Sequence, residues 1–130
     1  MKVVFLIDDD QDDREIFQES LLSLKTAVRY EEARHGQEAL EKLKKEDFQK
    51  PDLIFLDFNM PVMDGREFLK RIKQDTDLKD IPVIIYSTSS NKEDKMFAAE
   101  HDAAQFITKP YSIAAIREEL DKVIAKFLVS

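Results

Sequence analysis

Five short apolar runs, separated by longer stretches with helical spacing, restrict this 130-residue chain to a small set of architectures. Val3-Val4-Phe5-Leu6-Ile7, Leu53-Ile54-Phe55-Leu56 and Val83-Ile84-Ile85-Tyr86 are apolar without alternation, as strands covered on both faces must be. A weaker run lies at about residues 27–32 and a short one at about 105–108. The intervening stretches place apolar residues on one helical face: Phe17, Leu21 and Leu24 first, then Ala39, Leu40 and Leu43 after Gly36, then Phe68, Leu69 and Ile72. A fourth helix, with Ser90 and Glu93 spaced as a capping box, shows Met96, Phe97 and Ala99. The last carries Ile113, Ile116, Leu120, Val123, Ile124 and Phe127. Strict alternation of strand and helix predicts an α/β fold: a doubly wound, five-stranded parallel sheet with helices on both faces.

Bulk properties narrow the function classes. A chain of this length fits one domain, 1–130, and no linker, repeat or second domain is visible in it. The net charge of −7 supplies no basic stripe for nucleic acid or for a membrane surface. No apolar segment is long enough to span a bilayer. The absence of cysteine excludes disulfide and thiol chemistry and fits a cytoplasmic location. Glu15, Glu19, Glu41, Glu46, Glu118 and Glu119 are expected on solvated helix faces.

Parallel strands put their C-terminal ends along one edge, and in such sheets ligands bind at that edge, where the strand order reverses. The first run ends in Asp8, Asp9 and Asp10, and the third in Asp57; the fourth ends in Ser87 and Thr88, and the fifth leads through Thr108 to Lys109 and Pro110. Asp8, Asp9 and Asp57 together would repel one another by on the order of a few kcal/mol per pair, so they call for a cation. Hard oxygen ligands favour Mg²⁺, with Mn²⁺ also possible, and an empty cluster should raise at least one carboxylate pKa. Asp57, at a strand end before a turn-rich loop running to Asp64-Gly65, is placed to act as a nucleophile on a phosphoryl group. Ser87 or Thr88 could donate to a phosphoryl oxygen, because Ser89, Ser90 and Asn91 are better placed to cap the next helix. Lys109 supplies counter-charge and a phosphate ligand. Asp10, Asp12 and Asp13 read as an acidic helix N-terminus, and His35 and His101 as surface residues outside the strand-end set. With only Gly36 and Gly65 in the chain, there is no Gly-rich phosphate loop.

In order and at strand ends, Phe5-Leu6-Ile7-Asp8-Asp9-Asp10, Asp52 through Leu56 to Asp57-Phe58-Asn59-Met60-Pro61, Met63-Asp64-Gly65, Ser87-Thr88 and Lys109-Pro110-Tyr111 resemble the receiver domain of bacterial two-component response regulators. The likeness runs over essentially the whole chain. It implies the flavodoxin-like, CheY-like sheet order 2-1-3-4-5. It also implies Asp57 as phosphoacceptor, Asp8 and Asp9 as Mg²⁺ ligands with Asp57, and the Asn59 backbone carbonyl as the remaining protein ligand. Ser87 falls at the hydroxyl switch position, Phe106 at the aromatic switch position and Lys109 at the family's lysine. Thr88 stands where alanine is usual, so it and Asn59 are expected to modulate the pocket. Phe106 lacks the hydroxyl of the commoner tyrosine, and Asp102 replaces a helix-ending glycine, where Asp tolerates a left-handed backbone.

The implied function is that of a single-domain response regulator with no output domain, catalysing only its own phosphorylation and dephosphorylation. Its donor would be a sensor histidine kinase or a histidine phosphotransfer protein, and its output a protein target. The face of the fourth helix, fifth strand and fifth helix, carrying Lys92, Lys95, Phe106 and Tyr111, would change on phosphorylation, as a monomer or a phosphorylation-dependent dimer. Three other readings fit less well. A phosphohydrolase of the haloacid dehalogenase type needs a second aspartate where Asn59 stands. An FMN carrier needs a phosphate loop where Asp8, Asp9 and Asp10 would repel one. A receiver signalling without phosphorylation would not require the complete set of acids, hydroxyl and lysine.

Overall fold

The computed structural model describes residues 1–128 and alternates strand and helix throughout. β1 (Lys2–Ile7), β2 (Val28–Ala33), β3 (Leu53–Leu56), β4 (Val83–Ser87) and β5 (Gln105–Thr108) form one sheet in the order β2-β1-β3-β4-β5. Every neighbouring pair is parallel. The crossovers are α1 (Gln11–Leu22), α2 (Gly36–Leu43), α3 (Gly65–Gln74) and α4 (Lys92–Glu100), and α5 (Ile113–Phe127) follows β5. Among the described residues, no helix is long and apolar enough to cross a membrane.

The central strands are buried on both sides because their side chains alternate between two cores. Phe5, Ile7, Ile54, Leu56, Val83 and Ile85 pack with Ala39, Leu40, Phe68, Leu69, Ile72 and Ala98 under α2, α3 and α4. Val4, Leu6, Leu53, Phe55, Ile84 and Tyr86 pack with Phe17, Leu21, Ile116, Leu120, Val123 and Ile124 under α1 and α5. Phe17 is the aromatic centre of the second core, edge-on to both Phe55 and Tyr86 at 4.9 and 5.5 Å between centroids. At about 25 cal/mol per Å² of apolar surface, continuous burial of this kind is the main term favouring the fold.

The chain leaves β1 for β2 on one side and returns to β3 on the other, so strand order reverses between β1 and β3. Ile7 pairs with Leu56 there, and the N–H of Asp57 donates to the carbonyl of Ile7 at 3.0 Å. Asp8 and Asp57 are therefore neighbours at the switch point, each immediately after its strand.

Some local expectations need correction. Asn91, and not Ser90, caps α4, its side chain accepting from the N–H of Asp94. The buried face of α4 is Asp94 and Ala98 with Phe97 half-buried, while Met96 is 51% exposed and Ala99 is exposed. The helix is rotated because Asp94 is drawn inward by the guanidinium of Arg66 and the hydroxyl of Ser89. The histidines are half-buried helix caps: His35 Nδ1 accepts from the N–H of Glu38, and His101 stacks on Phe97 at the end of α4. Asp102 does adopt a left-handed backbone, at φ 60°; Val62, at φ 68°, does so without any sequence warning.

Candidate functional site

Each strand end delivers one kind of group. Asp8 is fully buried and held by its own loop: its Oδ1 accepts from the N–H of Asp10 at 3.0 Å. Asp57 is 5% exposed, and its Oδ1 accepts from the N–H of Asn59 at 3.1 Å. Asp9 is exposed beside them. One carboxylate oxygen from each of Asp8, Asp9 and Asp57 lies within 4.8 Å of the others, as the strand-end reading expects.

Close approach at this edge depends on Gly65. It opens α3, and its N–H donates to the carbonyl of Phe58 at 2.9 Å. A Cβ there would sit 2.2 Å from the carbonyl oxygen of Asp57. Only glycine lets α3 start so tightly against the loop that carries Asp57, and Asp64 caps the helix by accepting from Arg66 and Glu67.

Lys109 follows β5 and enters the cluster from the side of β4. Its N–H donates to the carbonyl of Ser87 at 2.8 Å, which ties the two strand ends together. Its Nζ lies 2.7 Å from Asp8 Oδ2, 2.8 Å from Asp13 Oδ2 and 3.5 Å from Asp57 Oδ2, and the Tyr86 ring centroid is 5.7 Å away. Burial alone would lower the pKa of this lysine, but the carboxylates of Asp8, Asp13 and Asp57 outweigh it and push the pKa up, so Lys109 is a fixed cation.

The acids behave in the opposite sense. Burial pushes Asp8 up to about 6, against the lowering effect of Lys109. Burial raises Asp57 as well, again partly offset by Lys109, with the charge of Asp9 adding to the rise. The expected upward shift is present in both, although loss of water contributes more than mutual repulsion. Asp8 Oδ2 is buried without a directional hydrogen bond, touched by the lysine at an angle that does not make one. A buried carboxylate oxygen whose one close partner is an ammonium, beside two more carboxylates, is a donor set suited to a divalent cation with hard oxygen preference. The residues present fit Mg²⁺ or Mn²⁺.

Ser87 is fully buried at the end of β4, and its Oγ accepts from the N–H of Ser89 at 3.3 Å. Thr88 is exposed and lines a cavity of about 290 Å³ shared with Asp13, Tyr86, Lys109 and Pro110. Asn59 is exposed next to Asp57. Phe106 is half-buried on β5, 6.2 Å and edge-on to Phe58, with Lys95 Nζ 6.0 Å above its ring. Tyr111 is fully exposed.

Two participants escape a reading based on strand ends. Asp13 is one: placed with the acidic helix start, it reaches Lys109 from α1. The other is Arg66, which donates to Asp94 at 2.5 Å and stacks 4.9 Å over Phe58, linking α3 to α4 beside the β4–α4 loop. No spacing in the sequence couples position 13 to 109 or 66 to 94, since both contacts join elements that meet only in the folded sheet.

Residues 4–121 match the response regulator receiver domain family. The chain is 38% identical over 96 residues to the chemotaxis protein CheY-3 of Vibrio cholerae, covering 74% of this chain and 72% of that protein. Its fold is similar to that of the phosphorylated cyanobacterial phytochrome response regulator RcpA, with a TM-score of 0.89 at 33% identity over 98% of this chain and 94% of that one. The Mn²⁺-bound form of response regulator Rcp1 is similar at a TM-score of 0.88 and 30% identity, with 100% of this chain and 97% of that chain covered.

Proposed function

The chain belongs to the response regulator receiver domain family of two-component signalling, and on that premise we propose that it is a phosphorylation switch with Asp57 as the phosphoacceptor. The observation that carries this reading is the pair of buried carboxylates at the switch point, Asp8 and Asp57, with the ammonium of Lys109 between them. A carboxylate oxygen of Asp57 attacks phosphorus, and the bond from phosphorus to the donor's nitrogen or oxygen breaks with its electron pair. The protein gains an acyl phosphate and does little covalent work beyond supplying the nucleophile; positioning and charge neutralisation carry the reaction.

Asp8, Asp9 and Asp57, with the backbone carbonyl of Asn59, are the residues that would hold Mg²⁺ or Mn²⁺. The ion, when bound, neutralises charge on the phosphoryl oxygens. Lys109 balances a further charge there. Ser87, buried on the adjacent strand, offers a hydroxyl to a phosphoryl oxygen and thereby moves the β4–α4 loop that its Oγ now anchors through Ser89. Phe106, half-buried against Phe58, is the side chain on β5 that would respond, so the signal emerges on the α4-β5-α5 face with Lys92, Lys95 and Tyr111. Thr88 and Asn59 border the approach to Asp57. The donor is a sensor histidine kinase or histidine phosphotransfer protein, the output is contact with a protein target from a monomer or a phosphorylation-dependent dimer, and the setting is the cytoplasm. Catalysis is limited to the protein's own phosphorylation and dephosphorylation.

Incubation with Mg²⁺ and acetyl phosphate, followed by intact-mass measurement, tests the assignment. Wild type is expected to gain one acid-stable, base-labile phosphoryl group and Asp57→Asn none. A wild-type protein that gains no phosphate, or an Asp57→Asn variant that gains as much, would overturn it.

A further inference from the structure

The ammonium of Lys109 is held from a direction that the sheet edge does not explain. Asp8 and Asp57 approach it from strand ends, but Asp13 approaches it from the first turn of α1. The contact with Asp13 is a well-formed hydrogen bond at 2.8 Å, whereas the one with Asp57 is stretched to 3.5 Å. Asp8 Oδ2, although 2.7 Å away, has no directional hydrogen bond. Asp13 is not one of the three acids that converge within 4.8 Å, and its side chain keeps 37% of its exposure. Beside the pair lies a cavity of about 290 Å³ that Asp13 and Lys109 line together with Tyr86, Thr88 and Pro110.

We propose that Asp13 is a positioning residue that holds Lys109 away from Asp57 in the unphosphorylated protein and sets how readily the lysine is released to a phosphoryl group there. The inference rests on Asp57 being the phosphoacceptor. An ammonium has three N–H donors and no acceptor, so each carboxylate that occupies one competes with phosphoryl oxygens for it. A carboxylate at this position also repels an incoming phosphate dianion. Both effects have the same sign: removing the Asp13 charge makes the site bind a phosphoryl group more tightly. Asp12, one residue earlier, is exposed and carries the same formal charge, so it separates this specific contact from a general field effect.

The test compares wild type, Asp13→Asn, Asp13→Glu and Asp12→Asn in saturating Mg²⁺, titrating beryllofluoride as the phosphoryl mimic and following amide shifts near Asp57. Asp13→Asn is expected to tighten binding by about threefold or more, Asp13→Glu to return near wild type, and Asp12→Asn to change it less than twofold. In parallel, the side-chain ammonium and Cε signals of Lys109 should shift in Asp13→Asn without any mimic present. Equal effects from Asp13→Asn and Asp12→Asn, weaker binding in Asp13→Asn, or an unmoved Lys109 signal would each overturn the proposal. If wild type neither binds the mimic nor accepts phosphate, the phosphoacceptor reading fails and takes this proposal with it. A Lys109 shift in Asp13→Asn would then still identify the ion pair as a structural contact. Because Asp13 is partly exposed and the cap of α1 is made by Asp10, the variants at position 13 are expected to keep the wild-type fold, which circular dichroism checks.

Discussion

Asp57 is a carboxylate kept where an uncharged side chain would be more comfortable. It is 5% exposed, its pKa is raised by burial, and its nearest cation is 3.5 Å away and shared with two other acids. A buried charge with incomplete pairing opposes folding, and replacing it by a neutral isostere is commonly neutral or stabilising. Asp57→Asn keeps the acceptor for the N–H of Asn59 and removes the charge. Metal-free Asp57→Asn is therefore expected to be about 1–2 kcal/mol more stable than wild type in urea, with an unchanged m-value. A lower urea midpoint than wild type would show that Asp57 and Lys109 form a net-stabilising pair. Asp13 teaches the complementary lesson at this scale. An acid in the first turn of a helix reads as a dipole partner, which is its commonest use, and nothing local distinguishes one that also reaches across 96 positions to a lysine.

At the scale of elements, the loop from β3 to α3 stores the clearest strain. Val62 has φ 68° and is 79% exposed, so a β-branched side chain sits in the left-handed region with no packing in return. The cost for an L-residue there is roughly 1–2 kcal/mol, and asparagine tolerates that region far better. Val62→Asn is expected to raise the thermal midpoint by several degrees, corresponding to about 1 kcal/mol. An unchanged or lower midpoint in calorimetry would mean that this backbone conformation is not kept in solution. The turn itself was legible from Pro61 and Asp64-Gly65, but its handedness at position 62 was not, since valine carries no turn signal. The same division holds for α4. Its existence follows from spacing, but its rotation follows from Arg66 and Ser89 drawing Asp94 inward, a tertiary choice that overrides the apolar pattern of Met96 and Ala99.

For the whole molecule, the convergence of Asp8, Asp9, Asp57 and Lys109 was readable because parallel topology converts strand-end position into spatial adjacency. The strand order itself came from the resemblance to receiver domains and not from the pattern of apolar runs. What remained hidden were contacts made across elements, such as Arg66 to Asp94. The converging acids also link the stability of the entire fold to pH through the cation they would hold. Burial raises Asp8 to about 6 and raises Asp57 too, so without metal the folded state binds more protons than the unfolded chain between the ordinary carboxylate range and about pH 6. The stability these two groups contribute is present at the acid end of that window and is lost as pH rises through it. A divalent cation needs the deprotonated ligands and acts with the opposite sign: its stabilisation is complete above about pH 6 and declines below. One displaced proton weakens binding about tenfold per pH unit, or about 1.4 kcal/mol of the ligand-linked stability. Thermal unfolding with and without Mg²⁺ across pH 5 to 8 is therefore expected to show a shift in midpoint that is large and flat at the neutral end and shrinks on acidification. Asp8→Asn should abolish the shift at every pH. A Mg²⁺-induced shift of equal size at pH 5 and pH 8 would place the ion on acids other than Asp8.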